Sequence, residues 1–385
     1  METYSSADLT FNRGKGSWLF ASNGQKYLDF SSGVAVTSLG HCHPHLVKSI
    51  KQQAEKLIHT SNLYKIGQQE KLAERLCEVS FADSVFFANS GAEANEGAVK
   101  IARRYMFEIG EVKRNKIVCI EGGFHGRTIA MLAATSKKEN RLGFGPIPSG
   151  FIHINLSDIN SLEKKLDNQI AAIMIEPVQG EGGAKKIPLN FLNEIQSIAE
   201  KNNYLIISDE VQTGMGRLGR LFGYENTPLK PDIMALAKGL GGGVPVGAVL
   251  ASKKVSSKIN PGSHGSTFGG NPLSMAAANA VLDIILEPGF IQSVNEKGNY
   301  LFSLLKKIQN ENSHIIEEVR GEGLLLGIKV KSNPLQIVEM LRKENVLTVP
   351  AAENVIRFIP PLTVSLKEID MAVRALNRTI TNYKV

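Results

Sequence analysis

Between residues 84 and 252, six short apolar runs alternate with stretches of helical periodicity: SVFFAN (84–89), KIVCIEG (116–122), AAIMIEPV (171–178), YLIISDEV (204–211), DIMALAK (232–238) and GAVLAS (247–252). The runs are rich in Val and Ile and apolar at successive rather than alternate positions. That is the pattern of strands buried on both faces of a mainly parallel sheet. Helices are predicted between them near 92–108 and 188–202, with shorter ones at 128–135 and 157–167. Such βα alternation calls for a three-layer α/β domain.

The flanks have a different texture. Asn23-Gly24 marks a tight turn between two short strands in WLFASNGQKYLDF. Pro44 opens a helix running to about His59, and a second helix is predicted over 68–79. After residue 270 the order is helix, helix, strands, helix, and Ser365-Leu366-Lys367-Glu368 forms a capping box at the start of the last helix. The expected organisation is an N-terminal segment (1–60), a large α/β domain (61–270) and a C-terminal α+β region (271–385). The two ends together make the smaller domain.

Composition removes several classes. In 385 residues, 43% hydrophobic and 21% charged, there is neither the bias of a disordered tail nor that of a collagen-like fibre. No apolar run approaches the ~18 residues of a membrane span. METYSSADLTFNRG has no basic region followed by an apolar core, so a cytoplasmic protein is expected. Three widely spaced cysteines, Cys42, Cys77 and Cys119, suit a reducing compartment. The net charge of +7 is dispersed, with no more than two consecutive Lys/Arg anywhere. A nucleic-acid footprint should be clustered, so none is expected. Small anionic substrates account for the charge equally well.

Ligands of a parallel α/β sheet bind beyond the carboxyl ends of its strands, so the polar residues that follow each run matter most. Ser90-Gly91-Ala92-Glu93 follows the first run and precedes a helix. Exposed N–H groups at such a start can cradle a phosphate, although the same Ser-x-x-Glu serves as an ordinary capping box. Asp209-Glu210 ends the YLIIS run and could orient a cofactor, ligate a metal or cap a turn. Lys238 ends DIMALA, ahead of Gly239-Leu-Gly-Gly-Gly243. Desolvation there would lower its pKa, as Schiff-base chemistry requires; a lysine snorkelling off a strand end is the plainer alternative.

Two patterns are discounted. Gly214-Met-Gly216-Arg-Leu-Gly219 matches a dinucleotide fingerprint but lacks the helix that must follow. His41-Cys42-His43-Pro44-His45 has no second Cys/His pair at zinc-site spacing, and Pro44 fits a helix N1 position, so no metal site is expected. What remains is an anion cradle, a strand-end acid and a strand-end lysine. These are the three attachments that pyridoxal phosphate needs.

The motifs GHCHP, NSGAEANE, FHGRT, EPVQGEGG, SDEVQTGMGRLG, LAKGLGGGVPVGA, HGSTFGGNPL and RFIPPL occur in an order that resembles, over nearly the whole chain, the class III pyridoxal-phosphate aminotransferases of fold type I. The resemblance implies that Lys238 holds pyridoxal 5'-phosphate covalently and, once displaced, acts as general base. Asp209 would pair with the pyridine nitrogen, and Glu210 would lie among the cofactor contacts. Val211 and Phe124 would sandwich the ring, and Gln212 would reach its 3′-oxygen. Ser90, Gly91 and Ala92 would supply phosphate donors. Thr267 would reach the phosphate, and Ser266 the substrate, from the partner subunit of a homodimer with shared active sites.

For substrates, the resemblance implies that Arg127 and Arg357 clamp carboxylates, with Glu181 screening Arg357 while the donor is bound. Within the family, the similarity is greatest to the branch that moves the δ-amino group of N-acetylornithine to 2-oxoglutarate, giving glutamate, in arginine biosynthesis. Ornithine and succinyldiaminopimelate are the alternative donors. Ornithine-specific relatives typically have tryptophan where His125 stands and tyrosine near Gly33, which this chain lacks. Ser208 stands where relatives usually have phenylalanine.

Overall fold

The computed structural model describes residues 1–156 and 167–383. Its centre is a seven-stranded sheet in the order Ser84–Ala88, Gly247–Ala251, Ile233–Leu236, Leu205–Asp209, Ile170–Ile175, Lys116–Ile120, Phe151–Ile154. Gly247–Ala251 runs antiparallel to both its neighbours, and every other adjacent pair is parallel. All six expected runs are strands. The seventh, Phe151–Ile154, lies at the edge. It is only four residues long and carries His153, so it lacks the continuous apolar signature of its buried neighbours.

Successive side chains of a strand point to opposite faces, and the core divides accordingly. Ile117 and Cys119 pack with Ala94, Ala98 and Ala102 of helix Gly91–Glu108. Val118 and Ile120 pack with Phe191, Ile195 and Ile198 of helix Leu189–Asn202. Each large aliphatic residue buried this way contributes roughly 1.5–3 kcal/mol. The expected helices at 44–59, 68–79 and 128–135 appear as Pro44–Ala54, Gly67–Glu78 and Ile129–Ala134. The one expected over 157–167 falls, save for Asp167, outside the described residues.

Besides a two-stranded pair, Val178–Gln179 with Lys185–Lys186, there are two four-stranded sheets. Phe11–Lys15, Trp18–Ala21 and Lys26–Asp29 form the N-terminal meander, and Val346–Leu347 joins it parallel to the third strand. Ile316–Glu322, Leu325–Val330, Val355–Phe358 and Val349–Ala351 form an antiparallel sheet. The two ends of the chain are further tied by Glu368. It completes the capping box with Ser365 and accepts from Trp18 Nε1 at 2.8 Å. Among the described residues no single helix is long and apolar enough to cross a membrane.

Parallel strands bring their carboxyl ends to one edge. There Ala88, Ile120, Ile175, Asp209 and Leu236 hand the chain over to Ser90, Phe124, Glu176, Val211 and Lys238.

Candidate active site

That edge opens on a cavity of about 590 Å³, lined among others by Ser90, Gly91, Ala92, Phe124, Arg127, Glu181, Asp209, Val211, Gln212 and Lys238. Ten residues singled out in the sequence therefore share one wall. A second cavity of about 640 Å³ shares Phe124, Arg127 and Glu181 with the first and continues past Ser136, Lys137 and Asn140.

Lys238 begins a short turn after its strand, with φ +44°, a left-handed conformation that a side chain rarely adopts. Its ammonium has no hydrogen-bond partner among the described residues. Burial draws its pKa below the ordinary lysine value; Glu181 opposes this, and the Arg357 charge adds to it. A lysine more readily neutral at physiological pH is a usable nucleophile and base.

Asp209 ends the strand Leu205–Asp209 and is buried. Its Oδ2 accepts from Asn95 Nδ2 and from His125 Nδ1, each at 2.7 Å, and its Oδ1 accepts from the Val211 amide at 3.0 Å. Burial would pull the His125 pKa down, but the Asp209 bond and the charges of Asp209 and Glu176 outweigh it, so the net shift is upward. His125 Nε2 and Asn95 Oδ1 are buried without a partner among the described residues. Glu176 accepts from the Phe124 and Gly180 amides at 2.9 and 3.2 Å. Burial and the nearby Asp209 push its pKa up to about 7.

The phosphate-cradle residues sit at the start of helix Gly91–Glu108. Ser90 Oγ accepts from the Glu93 amide, and Glu93 reaches back to the Asn89 amide. Gly91 is sterically required, because a Cβ there would lie 2.6 Å from Val211 Cγ1. The helix start and the Val211 side chain are thus held at close range. Helix N–H groups and dipole favour an anion at this point. A cradle that only glycine fits, a poised lysine and a buried acid aimed at the same cavity fit a phosphorylated pyridine aldehyde.

On the substrate side, Arg357 is buried on strand Val355–Phe358 and donates to Glu181 Oε1 at 2.7 Å, Gln212 Oε1 at 3.0 Å and the Pro350 carbonyl at 3.2 Å. Its Nε has no partner among the described residues. Burial would raise the Glu181 pKa, but the Arg357 charge and hydrogen bond bring it below the ordinary value. Arg127 is exposed and stacks 5.6 Å from the Phe124 ring.

One expectation is corrected. Glu210 does not line the cavity. Its carboxylate turns the other way, accepting from Thr213 Oγ1, from the Gly223 and Tyr224 amides at 2.9 and 2.8 Å, and from Ser208 Oγ at 3.2 Å. Neighbours on a strand face opposite sides, so an Asp209 that faces the cavity sends Glu210 into the protein, where it organises the loop that follows. Ser208 supplies one of its donors. Ser266 and Thr267 do not line the cavity of their own chain. Ser266 Oγ accepts instead from the Gly269 amide at 2.9 Å and from Asn89 Nδ2 at 3.3 Å. Gly33 belongs to a turn in which Ser32, Gly33, Val34 and Ala35 all have φ between +49° and +66°. Asp29 accepts from the Ser31 and Ser32 amides there at 2.9 Å.

Gly214–Gly219 is loop, and His41 and His45 bond Asp29 and Asp283 at 2.8 Å. Sequence reasoning missed Asn95, Glu176 and the role of His125 beside Asp209. All three lie within motifs already noted, but only the fold shows that they meet.

The family profile described as Aminotransferase class-III matches residues 2–380. Acetylornithine aminotransferase 1 of Bradyrhizobium diazoefficiens is 50% identical over 378 residues, covering 98% of this chain and 93% of its own. Acetylornithine aminotransferase of Agrobacterium fabrum is 49% identical over 367 residues, covering 95% and 92%. Among solved structures, an ornithine aminotransferase from Toxoplasma gondii, with partial occupancy of pyridoxal phosphate at its active site, has TM-score 0.93 and 33% identity, covering 98% and 92%. Acetylornithine aminotransferase from Elizabethkingia anophelis has TM-score 0.87 and 32% identity, covering 100% and 96%.

Proposed function

The chain belongs to the class-III aminotransferase family, and from that premise we propose that it uses pyridoxal 5'-phosphate to transfer the δ-amino group of N-acetyl-L-ornithine to 2-oxoglutarate. The products are N-acetyl-L-glutamate 5-semialdehyde and L-glutamate. The carrying observation is that Lys238, Asp209 with its buried partners, and Glu181 line one cavity, with Arg357 bonded to Glu181. The donor assignment rests on relatives of this name at 49–50% identity and on His125 and Gly33 in place of the aromatic residues typical of ornithine-specific chains. Similarity of fold does not separate the two, since ornithine aminotransferases share it.

In this reading Ser90, Gly91 and Ala92 would hold the phosphate, Val211 and Phe124 would flank the ring, Asp209 would serve the ring nitrogen and Gln212 the 3′-oxygen, and Lys238 would make the covalent attachment. Bound there, pyridoxal phosphate supplies an electron sink for the carbon that loses its proton. Lys238 Nζ would be the group that moves that proton, which its lowered pKa favours. Asn95 and His125 keep the Asp209 carboxylate oriented. Arg127 takes the donor carboxylate while Glu181 occupies Arg357. When the dicarboxylate acceptor enters, Glu181 yields and Arg357 binds the second carboxylate in the planar manner that guanidinium favours.

A homodimer with shared sites is part of the proposal. Leu63, Tyr64 and Phe268 are 87%, 69% and 62% exposed, with Leu57 and Ile58 beside them. The two segments are joined by Asn62 Nδ2 donating to the Ser266 and Gly269 carbonyls at 3.0 and 2.8 Å. Such an apolar surface is suited to a second copy. It would carry Ser266 and Thr267 to the partner's cavity. The proposed division into 1–60, 61–270 and 271–385 is supported by the pairing of Leu28 with Val346. Production of glutamate from N-acetylornithine and 2-oxoglutarate, abolished by Lys238→Ala, tests the reading; glutamate formed at wild-type rates by that variant would refute it.

A further inference from the structure

A third residue, Arg320, bonds the turns that adjoin the Glu181–Arg357 pair. Glu181 lies in the turn Gly180–Ala184, between the paired strands Val178–Gln179 and Lys185–Lys186. Arg357 follows the turn Ala352–Asn354 on another element. Arg320, on strand Ile316–Glu322, spans both turns. Its Nε donates to the Gly183 carbonyl at 2.7 Å, and its Nη1 donates to Glu353 Oε2 at 2.8 Å and to Glu318 Oε2 at 3.5 Å. Its Nη2 lies 3.5 Å from the Gly182 carbonyl. Lys185 holds Glu353 from the other side at 3.1 Å, and the Ala352 amide donates to the Glu181 carbonyl at 3.0 Å.

Both turns are conformationally costly and closely fitted. Glu353 and Asn354 have φ +58° and +57°, and Gly183 has φ +96°. A Cβ on Gly183 would meet both Arg320 Nη2 and the Ala352 carbonyl. Non-glycine residues stay in the left-handed region only when their surroundings over-determine them. Here a guanidinium with 10% exposed side chain does so.

We propose that Arg320 is a positioning residue that fixes the Glu181 turn over Arg357 and thereby sets the enzyme's discrimination between its dicarboxylate acceptor and its amine donor. This rests on the reading of Glu181 as the screen of Arg357. With the turn anchored, Glu181 shields Arg357 by default, and a dicarboxylate must displace it. A site populated only in part weakens the ligand that needs the minor state. Without the strap the screened state loses stability, so the acceptor binds more tightly and the donor more weakly.

The test uses the holoenzyme. Binding of glutarate, an unreactive dicarboxylate, is measured by calorimetry, and KM and kcat are measured for each substrate. Arg320→Ala is expected to tighten glutarate binding and raise the KM for the donor, each between about 2- and 30-fold. Arg320→Lys keeps the charge but cannot reach both turns, and should shift both in the same directions by less. Parallel loss of affinity for both ligands, or no change in either, overturns the proposal. If Arg320→Ala does not fold, Glu353→Gln cuts the strap at its solvent side and carries the same expectation. Glu181→Gln is the control. If it moves glutarate affinity while the strap variants do not, the screen stands and the Arg320 proposal falls. If none of them moves it, both fall.

Discussion

His125 Nδ1 and Asp209 Oδ2 lie 2.7 Å apart inside the protein, and the other ring nitrogen of His125 has no partner among the described residues. The imidazole is therefore held by one bond, and that bond orients the carboxylate at the centre of the cavity. Replacing His125 by Phe leaves Oδ2 with Asn95 alone. A hydrogen bond to a buried charged group is worth enough that cofactor affinity should fall about 10- to 100-fold. Titration of cofactor-free protein with pyridoxal phosphate, followed by absorbance, measures this; unchanged affinity would mean that Asp209 needs no support from His125.

Glu176 gives a pH signature. Burial and Asp209 raise its pKa from 4.5 to about 7. The folded state keeps this proton while the unfolded state releases it, so stability falls as pH rises through that window. The contribution is on the order of 3 kcal/mol across it. Denaturant unfolding of cofactor-free Glu176→Gln between pH 4.5 and 7 should show a flatter profile than wild type. Parallel profiles would contradict the shift.

Arg357 should matter to one half-reaction. Arg357→Ala removes a buried guanidinium that the amine donor does not use. The second-order rate constant for 2-oxoglutarate should fall by about 100-fold or more, with that for the donor within about threefold. Stopped-flow absorbance separates the two. Equal losses in both would remove the division of labour between Arg127 and Arg357.

The central sheet was legible because strands such as Ile170–Ile175 are buried along their whole length and therefore read as unbroken apolar runs. Phe151–Ile154 escaped because it is only four residues long, interrupted by His153 and mostly half-buried. Lys238 and Asp209 were legible for a topological reason, since strand ends in a parallel sheet converge. Glu210, assigned to the cofactor by resemblance, follows Asp209 in sequence but turns to the Gly223 and Tyr224 amides instead. Asn95, His125 and Glu176 come from a helix, a loop and another strand end, and only tertiary packing brings them to Asp209 or beside it. The Arg320 strap joins residues more than a hundred positions apart in sequence and carried no local signal.

Shared sites in a dimer predict complementation. Lys238→Ala and Thr267→Ala homodimers should each be impaired. Mixed and reassembled, half the dimers are hybrids with one intact site, which restores about a quarter of wild-type activity. Activity no higher than the average of the two parents would show that Thr267 does not serve the partner's cavity.

The most direct measurement is the half-reaction of the holoenzyme with each amine separately, without oxo acid, followed by the loss of the bound pyridoxal phosphate band and the rise of pyridoxamine phosphate. Rapid conversion with N-acetylornithine, and slow or absent conversion with ornithine and succinyldiaminopimelate, is the predicted result. Conversion with ornithine alone would contradict the donor assignment and show that His125 and Gly33 do not mark it.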